Sequence, residues 1–450
     1  MDNVLTWQWI LLILSSLILF VISPKVSSVK SFFQGVDKEE HQPGFWMLTL
    51  SLIISWIFAK SVTNAANLGL SFGIVGGLAY ATYYFSFLVA GIVIYKIREK
   101  LDVKSLPDFV KGKYGNAAVK LFAVLIGIRL LNEVWSNTAV IGTYFGAAGS
   151  TQYILAIIVF TLLTLAYSVK GGLRSSLITD MIQAVLFAVL LVVVLGIIIP
   201  NQGSVKPFVM SGEWTMSMGL NLFFVALIQI FSYPFHDPVM TDRGFISDRK
   251  TTLKSFMAAT AGGFIIILLF SFVGIYGKYI GVSGQAAVEV SKTFGIPMMV
   301  LMNFIMITSA ASTLDSTFSS VSKLAIVDIT KKSIPTVSKG RWAMIITAVG
   351  GTIPLFFTPE ILSATTISGT MVLGLAPVFI FWKLDTPKIS FHLAVWFGII
   401  SGLVLTFGLL PKSLFLTTGK YADLLAINIY GTIIIFILFF IPYFFMKRRA

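Results

Sequence analysis

The chain has 450 residues, of which 56% are hydrophobic and only 12% are charged, and it contains no cysteine. Soluble proteins of this length are rarely so apolar, and the lack of cysteine excludes disulfides and thiolate metal sites. The formal net charge of +14 could suggest a nucleic-acid partner, but the basic residues follow a membrane topology instead.

Apolar runs long enough to span a bilayer recur along the whole chain. They predict an all-α integral membrane protein with about thirteen transmembrane helices, and they leave no room for a soluble catalytic domain. The first run has no positive charge before it and no small-residue cleavage site after it, so we expect a membrane helix rather than a signal peptide. The predicted helices lie at 8–24, 45–66, 72–96, 117–147, 151–168, 174–199, 217–236, 255–278, 295–327, 342–357, 361–383, 390–410 and 426–446.

The basic residues predict which loops face the cytoplasm. Most of the 33 lysines and arginines fall on one set of loops, which includes 96–120, 243–254, 331–341 and 447–449. The other set holds only Lys206, Lys278, Lys292, Lys412 and Lys420. By the positive-inside rule the first set is cytoplasmic, so the N-terminus is predicted outside and the C-terminus inside. We therefore expect a multi-pass protein of the cytoplasmic membrane, in contact with lipid and without a nucleic-acid partner.

The helix predicted at 295–327 contains the unusually polar stretch TSAASTLDSTFSSVS. Side chains this polar at membrane depth must face protein or a water-filled cavity. Neutral oxygen ligands on one face suit a weakly held, hard cation such as sodium, whereas the alternative is a row of interhelical hydrogen bonds. The hydroxyl residues that share one face, at i, i+3, i+4 and i+7, are Ser309, Ser312, Thr313 and Ser316.

Three basic residues fall inside the predicted helices, and two of them have simple explanations. Arg129 has Glu133 one turn further along its helix, so an i, i+4 ion pair is expected. Lys323 lies towards the cytoplasmic end of its helix, where its ammonium could snorkel to the interface.

Lys60 is the third, and it lies too deep in its predicted helix to snorkel. A mid-membrane lysine costs roughly 2.5–3.5 kcal/mol on insertion scales, so its ammonium needs a partner or must lose its charge. The mid-membrane carboxylates expected to be available are Asp180 and Asp315.

Three stretches together resemble the sodium:solute symporter family, which includes proline, sugar and sialic-acid carriers. They are SAASTLDS from Ser309, GGLRSSLITDMIQ from Gly171 and SYPFHDPVMTDR from Ser232. The resemblance implies an inverted-repeat fold, in which the first helix of each five-helix repeat is broken near mid-membrane. It divides the chain into a leading helix and loop at 1–44, a first repeat at 45–199, a second repeat at 217–383, and two C-terminal helices with a basic tail at 390–450.

The resemblance also implies a cation site. The principal sodium ligands would be the carbonyls of Ala59, Val62 and Ser309 and the hydroxyls of Ser312 and Thr313. A second sodium, which some members bind, would lie among Asp180, Ser312, Asp315 and Ser316. Asp315 stands where those members have a hydroxyl, so the resemblance leaves the sodium stoichiometry open.

A substrate cavity is implied as well, lined by Ser61, Thr63, Ala65, Ala66, Gln229 and Tyr233. Gln229 could equally be an interhelical hydrogen-bonder, and Tyr233 an ordinary interfacial tyrosine. His236 and Asp237 could titrate or bind substrate, although helix capping is the favoured interpretation.

Lys60 departs from the family, whose members carry a small residue beside the first sodium-site carbonyl. A resident ammonium there would repel sodium strongly at low local dielectric. Three outcomes stay open: a paired Lys60 beside a working sodium site, a proton-coupled or uncoupled carrier in which Lys60 replaces sodium, or a membrane-embedded solute sensor. The favoured prediction is a sodium-coupled symporter, not an enzyme, that moves a small polar organic solute by alternating access with the monomer as its functional unit.

Overall fold

The protein is all-helical in the computed structural model, which describes residues 2–329, 334–357 and 362–447. No strand occurs among these described residues, so the predicted all-α class is confirmed. The basic residues at 331–332 and 448–449, which contributed to the predicted topology, lie outside the described part of the chain.

Twenty α-helices follow one another along the described chain. The first ten are α1 (Asp2–Ile22), α2 (Val29–Gln34), α3 (Phe45–Trp56), α4 (Ala59–Phe72), α5 (Ile74–Ala81), α6 (Phe85–Lys100), α7 (Leu106–Tyr114), α8 (Asn116–Gly142), α9 (Thr151–Asn201) and α10 (Lys206–Val209). The second ten are α11 (Leu220–Gln229), α12 (Pro238–Arg243), α13 (Arg249–Tyr279), α14 (Ala286–Thr293), α15 (Ile296–Lys323), α16 (Val337–Thr352), α17 (Ser363–Met371), α18 (Leu375–Ile380), α19 (Lys388–Thr406) and α20 (Ala422–Lys447).

Seven helical segments of the described chain are long and apolar enough to cross a membrane. The bent pair α3–α4 makes an eighth if it is taken as one span. Large apolar side chains such as Leu14, Val192 and Ile265 are exposed on these segments, as expected for a surface that meets lipid. The seven segments are Val4–Ile22, Ile74–Lys100, Thr151–Asn201, Arg249–Tyr279, Ile296–Ile329, Lys388–Thr406 and Ala422–Met446.

The predicted first helix of the first repeat is broken between α3 and α4, which meet at an angle of 59°. α3 ends at Trp56, and Phe58 is in an extended conformation (φ −60°, ψ 146°) before α4 begins. A break of this kind frees backbone carbonyls that a continuous helix would use in its own hydrogen bonds. The freed groups lie in the protein interior, where Ile57 and Phe58 are buried.

A second break follows α11. The chain leaves the helix after Gln229, makes a 3₁₀ turn at Tyr233–His236 and re-enters a helix at Pro238. Proline suits the first helical position because its missing N–H would have no partner there. The helices predicted at 45–66 and 217–236 are thus both broken, the first at Ile57–Phe58 and the second after Gln229.

The helices predicted separately at 151–168 and 174–199 form one helical stretch, α9, with a sharp bend at Gly172. Gly172 has φ 57° and ψ −145°, a conformation that residues with a side chain rarely adopt. A Cβ atom there would also lie 2.6 Å from the backbone oxygen of Phe32. Glycine therefore lets α9 bend while α2 packs directly against it.

Close helix packing surrounds the two breaks. α15 packs against α9 and α8, while α4 packs against α13. At the second interface, a Cβ atom on Gly274 would collide with the backbone carbonyl of Ala66, so the two helix backbones are in contact there. Small residues commonly allow this close approach in membrane proteins.

Candidate functional site: a hydroxyl-rich helix against a broken helix

The polar face of α15 lies against the break between α3 and α4. The hydroxyl of Ser309 donates a hydrogen bond to the carbonyl of Ile57, the first residue after α3. One turn further along α15, the hydroxyl of Thr313 donates to the Ser309 carbonyl at 3.0 Å. Ala59 and Val62, which begin α4, are fully buried beside this contact. The structure therefore brings together the elements that carry the implied sodium ligands.

Asp180 of α9 extends this polar region. Its carboxylate accepts hydrogen bonds from the hydroxyls of Ser312 and Ser51, each at 2.5 Å. It also forms a 2.9 Å ion pair with Arg243, and both side chains are fully buried. The prediction that Arg243 lies in a cytoplasmic loop is wrong, because its side chain is fully buried. The short helix α12 carries Arg243 into the interior, which loop charge counting cannot detect.

Asp315 has a different environment from Asp180. Its carboxylate accepts hydrogen bonds from the hydroxyls of Ser176 and Thr179 on α9, both at 2.8 Å. The hydroxyl of Ser316 lies 3.3 Å from the Asp315 carboxylate. It also shares a 3.0 Å hydrogen bond with the Ser176 hydroxyl, in which either group can be the donor. Asp315 is fully buried, and within the described residues it forms no ion pair.

Lys60 pairs with Glu133 of α8, and its Nζ lies 2.6 Å from Glu133 Oε1. The expectation that Lys60 pairs with Asp180 or Asp315 is therefore wrong. Its position on α4 turns the side chain towards α8, whereas both aspartates lie between α9 and α15. The backbone N–H of Lys60 also donates to the side-chain oxygen of Asn137, 3.2 Å away on the same helix α8.

Glu133 is shared with a second cation, because Arg129 of α8 also contacts it. The expected i, i+4 pair is thus present, but Arg129 reaches Asp237 as well, at 2.7 Å. We call Lys60, Arg129, Glu133 and Asp237 the four-charge cluster. All four are almost completely buried, and their formal charges sum to zero.

Asp237 has two functions in this cluster. Its Oδ1 caps α12 by accepting from the backbone N–H of Val239 at 3.0 Å, as the capping interpretation predicted. Its Oδ2 accepts from Arg129 and, at 2.8 Å, from the indole N–H of Trp56. The ring of His236 contacts the Tyr233 backbone carbonyl through Nδ1 at 2.5 Å. Asp237 thus joins α12 to both α8 and the end of α3.

Lys323 does not snorkel to the interface. Its ammonium is buried and pairs with Asp242 of α12 at 2.5 Å, with Asp328 at 3.8 Å. α12 and its cap therefore carry three charged residues that pair with three different helices, α8, α9 and α15. These ion pairs link the second break to the helices around the candidate cation site.

A narrow cavity with a free volume of about 10 Å³ lies directly beside the four-charge cluster. That volume is roughly the room needed by one water molecule. The guanidinium of Arg129 stacks against two of its aromatic walls, with its central carbon 5.2 Å from the ring centroids of both Phe58 and Tyr233. The cavity is lined by Trp56, Phe58, Ser61, Tyr80, Tyr83, Tyr84, Tyr233 and Thr365.

Ser61 and Tyr233 are thus the predicted substrate residues that line this cavity. Gln229 lies behind it, where its amide accepts from the Tyr83 hydroxyl at 2.8 Å and donates to Asn428 at 2.9 Å. This matches the alternative interpretation of Gln229 as an interhelical hydrogen-bonder. Three further predicted residues, Thr63, Ala65 and Ala66, line neither this cavity nor the larger one described next.

A larger, open cavity of about 580 Å³ lies at the end of the bundle where α4 terminates. Asn64 lines it, and the Asn64 amide also donates to the Tyr80 hydroxyl of the narrow cavity at 3.3 Å. Ser61 lies 3.2 Å from the same hydroxyl. We call this larger cavity the vestibule. Asn64 is not among the predicted substrate residues, although it falls three residues after Ser61 on α4 and that spacing places the two on one helix face.

Residues 41–217 match the model of the sodium:solute symporter family. Two mouse proteins are similar over a comparable length: Solute carrier family 5 member 4B, 23% identical over 171 residues, and Solute carrier family 5 member 4A, 26% identical over 152 residues. These alignments cover 37% and 32% of this chain but only 26% and 22% of the mouse proteins. The chain thus aligns with about a quarter of the length of these relatives.

Solved structures extend the similarity along the chain. A Na⁺-coupled sialic acid symporter in a substrate-bound, outward-open state has a TM-score of 0.73 and 14% identity, covering 97% of this chain and 98% of the symporter. A nucleobase-cation-symport-1 family transporter, closed and with bromovinylhydantoin bound, has a TM-score of 0.56 and 13% identity, covering 91% and 96%. At such identities the similarity concerns the fold. The resemblance predicted from the motifs is therefore found again: this membrane chain is similar to the sodium:solute symporters, which are transporters and not enzymes, in sequence over residues 41–217. It is similar in fold to a Na⁺-coupled symporter over nearly all of its length.

Proposed function

We propose that this protein is a secondary active symporter that uses sodium to move a small polar organic solute across the cytoplasmic membrane. The observation that carries the proposal is the contact between the hydroxyl face of α15 and the break between α3 and α4. Transporters with broken helices commonly bind coupling ions at such breaks, because the unwound backbone offers free carbonyls. A continuous, fully hydrogen-bonded helix could not provide them.

The principal sodium ligands in this proposal are oxygen atoms from both elements. Oxygen ligands suit hard cations, and the C-terminal end of α3 adds the negative end of a helix dipole. Ser312 and Thr313 lie one turn along α15 from the Ser309–Ile57 contact, which supports a site at this point. The ligands would be the carbonyls of Ala59, Val62 and Ser309 and the hydroxyls of Ser312 and Thr313.

A cation is also favoured by the charges between α9 and α15. Asp180 and Asp315 are both fully buried, and Arg243 is the basic residue paired among them. Their formal charges sum to −1, and an uncompensated buried charge is costly. A second cation held by Asp180, Asp315 and Ser316 would neutralise this region, so the stoichiometry could exceed one sodium per solute.

The pairing of Lys60 bears on the alternatives. A lysine that replaced sodium would have to present its ammonium to the oxygen atoms around Ser309 and Ser312. Its ammonium instead lies 2.6 Å from Glu133, within a cluster whose charges already balance. This supports a sodium-coupled carrier over a proton-coupled or uncoupled carrier in which Lys60 takes the place of the ion.

The solute would enter through the vestibule and bind at the narrow cavity below it. Asn64 and Tyr80 connect the two spaces, and the buried ion pairs around α12 close the opposite end. Movement of these ion-paired helices would expose the cavity to the other side, as alternating access requires. A binding-competent state would need a wider cavity than the present one.

The proposed topology has thirteen membrane spans with an outside N-terminus, so the vestibule faces out. The two breaks support the repeats proposed at 45–199 and 217–383, because each lies in the first helix of its repeat. Each repeat would be an inverted copy of the other, followed by α19 and α20 at 390–450 and preceded by the segment at 1–44. The monomer, surrounded by lipid, would be the working unit.

A binding experiment tests the cation site without knowledge of the solute. Purified protein in detergent should show an increase in apparent melting temperature on addition of sodium chloride, beyond that given by choline chloride, because an ion that binds only the folded state stabilises it. The Ser312→Ala, Thr313→Ala double variant should lose this increase. A sodium response equal to the choline response in the unaltered protein would contradict the proposal.

A further inference from the structure

A third cavity lies at the end of the bundle opposite the vestibule, and the proposed function does not use it. Its volume is about 710 Å³, and it lies between the end of α6, the short helix α7 and the connection from α18 to α19. α6 ends at Lys100, α18 ends at Ile380 and α19 begins at Lys388. Two membrane-spanning segments, Ile74–Lys100 and Lys388–Thr406, therefore have an end at this cavity, which puts it at the level where lipid headgroups meet the protein.

The walls of this cavity are largely apolar, and its charged residues have no ion-pair partners in the part of the chain that the structure describes. Apolar side chains such as Val103, Phe109 and Leu384 line it, together with Lys100, Lys113, Lys383, Asp102 and Asp385. None of these five charged side chains forms an ion pair with another described residue. The three ammonium groups outnumber the two carboxylates, so the lining carries one positive charge in excess.

Lys113 is the most informative of these residues. Its ammonium donates a 2.6 Å hydrogen bond to the Trp382 carbonyl, and it lies 5.9 Å from the centroid of the Phe109 ring. Burial lowers the pKa of Lys113 to about 8, although the negative charge of Asp385 opposes this effect. A partly buried ammonium that meets a carbonyl and aromatic rings, with no carboxylate in contact, would be stabilised by an anion.

Trp382 and Lys383 add two further features. The ammonium of Lys383 lies 5.5 Å from the centroid of the Trp382 ring. Tryptophan is enriched where membrane proteins cross the lipid interface, and basic pockets between spans on the cytoplasmic side bind acidic headgroups. Gly112 leaves the cavity open, since a Cβ atom there would meet nothing within 4 Å.

We propose that this cavity binds the headgroup of an anionic phospholipid, with Lys113 and Lys383 contacting the phosphate and the apolar wall contacting the upper acyl chain. The apolar wall favours a lipid over a soluble phosphate, which would gain nothing from Val103 or Leu384. The carboxylates of Asp102 and Asp385 can accept hydrogen bonds from a hydroxylated headgroup such as glycerol.

The test uses delipidated, full-length protein in an uncharged detergent, and its readout is thermal stability, which does not depend on transport. Phosphatidylglycerol should raise the apparent melting temperature with saturation, while phosphatidylcholine of the same chains and soluble glycerol phosphate should not. The Lys113→Gln, Lys383→Gln variant should need about 25-fold more phosphatidylglycerol for half of the effect, at about fivefold for each lysine. The matched control changes two exposed lysines elsewhere, Lys254→Gln and Lys339→Gln. Its phosphatidylglycerol concentration for half of the effect should change less than twofold.

A second variant covers the case in which the double glutamine protein folds poorly. Gly112→Leu adds a side chain into open space and keeps every charge, so it should fold and should also lose the phosphatidylglycerol response. Equal stabilisation by phosphatidylcholine and phosphatidylglycerol would overturn the proposal. An unchanged phosphatidylglycerol response in both variants would overturn it too, and a response to glycerol phosphate alone would reassign the cavity to a soluble anion.

Discussion

The ammonium of Lys60 lies 2.6 Å from the carboxylate of Glu133, so this lysine of the broken helix is neutralised by α8 and not by Asp180 or Asp315. The same carboxylate contacts Arg129, which in turn pairs with Asp237. Two positive and two negative charges therefore balance in a region without solvent exposure. Because of this balance, the Lys60 ammonium does not occupy the cation site that we propose on α15.

Because Lys60 pairs with Glu133, we predict that a second substitution at Glu133 recovers the stability lost when Lys60 is replaced. Lys60→Met should lower stability strongly, because breaking a buried ion pair costs about 3–5 kcal/mol and leaves the cluster with one net negative charge. Adding Glu133→Gln restores the charge balance through the remaining Arg129–Asp237 pair, so the double variant should recover much of the loss. The measurement is the apparent melting temperature of each purified variant. The matched control combines Lys60→Met with Asp315→Asn, which should not recover the lost stability. Recovery with Asp315→Asn but not with Glu133→Gln would show that Lys60 pairs with a different carboxylate in the membrane.

The α15 hydroxyls predict a change in cation affinity. Ser312→Ala and Thr313→Ala should each raise the sodium concentration for half-maximal transport by roughly tenfold or more, since each removes one proposed ligand worth about 1.5–3 kcal/mol for an interaction with a charged group. Solute affinity at saturating sodium should change little. Thr317→Ala is the control, because that buried hydroxyl has no hydrogen-bond partner among the described residues. An unaltered sodium dependence in both variants would assign the two hydroxyls to helix packing.

We predict that the Asp180 carboxylate is required for transport. It connects Arg243, Ser51 and Ser312, so Asp180→Asn would leave the Arg243 guanidinium without its ion pair and weaken the contact with α15. Uptake driven by a sodium gradient should fall at least tenfold, while membrane insertion is retained. Asp248→Asn, at the exposed cap of α13, is the matched control and should transport normally. Near-normal uptake by Asp180→Asn would remove this residue from the mechanism.

For Tyr233, we predict that the aromatic ring contributes more to solute affinity than the hydroxyl does. The ring lines the narrow cavity and stacks with the Arg129 guanidinium, and such contacts are worth about 0.5–2 kcal/mol. Tyr233→Phe should keep the solute KM within about twofold, whereas Tyr233→Ala should raise it by about three- to thirtyfold. Uptake kinetics at saturating sodium measure both values. Equal kinetics for the alanine and phenylalanine variants would show that the ring does not contact the solute pathway.

The second break and the polar face of α15 were predictable because local sequence determines them. Hydroxyl residues at helical spacing within an apolar run have few alternatives to an interior face, and the SYPFHDP stretch contains the second break. The first break could not be located in this way, because it lies at Ile57–Phe58 while the polar stretch at 61–67 stays helical within α4. The sequence motifs also pointed to the family whose model matches residues 41–217.

The partner of Lys60 was not predictable in the same way. Choosing Glu133 over Asp180 or Asp315 requires the rotation of α4 and the identity of its neighbouring helices, which are tertiary properties. Arg243 was assigned to a loop because a six-residue helix such as α12 has no span-length signal. Asn64 was the one omission that spacing from Ser61 could have corrected.

Solute uptake into proteoliposomes, with sodium and proton gradients imposed separately, tests the central claim most directly. The panel should include amino acids, sugars and urea-like compounds, with the Ser312→Ala, Thr313→Ala variant as the paired control. The account predicts that at least one small polar solute accumulates under an inward sodium gradient, that removing sodium abolishes this accumulation, and that the double variant fails to accumulate it. Accumulation driven by a proton gradient alone, or equal accumulation with sodium and choline, would contradict sodium coupling.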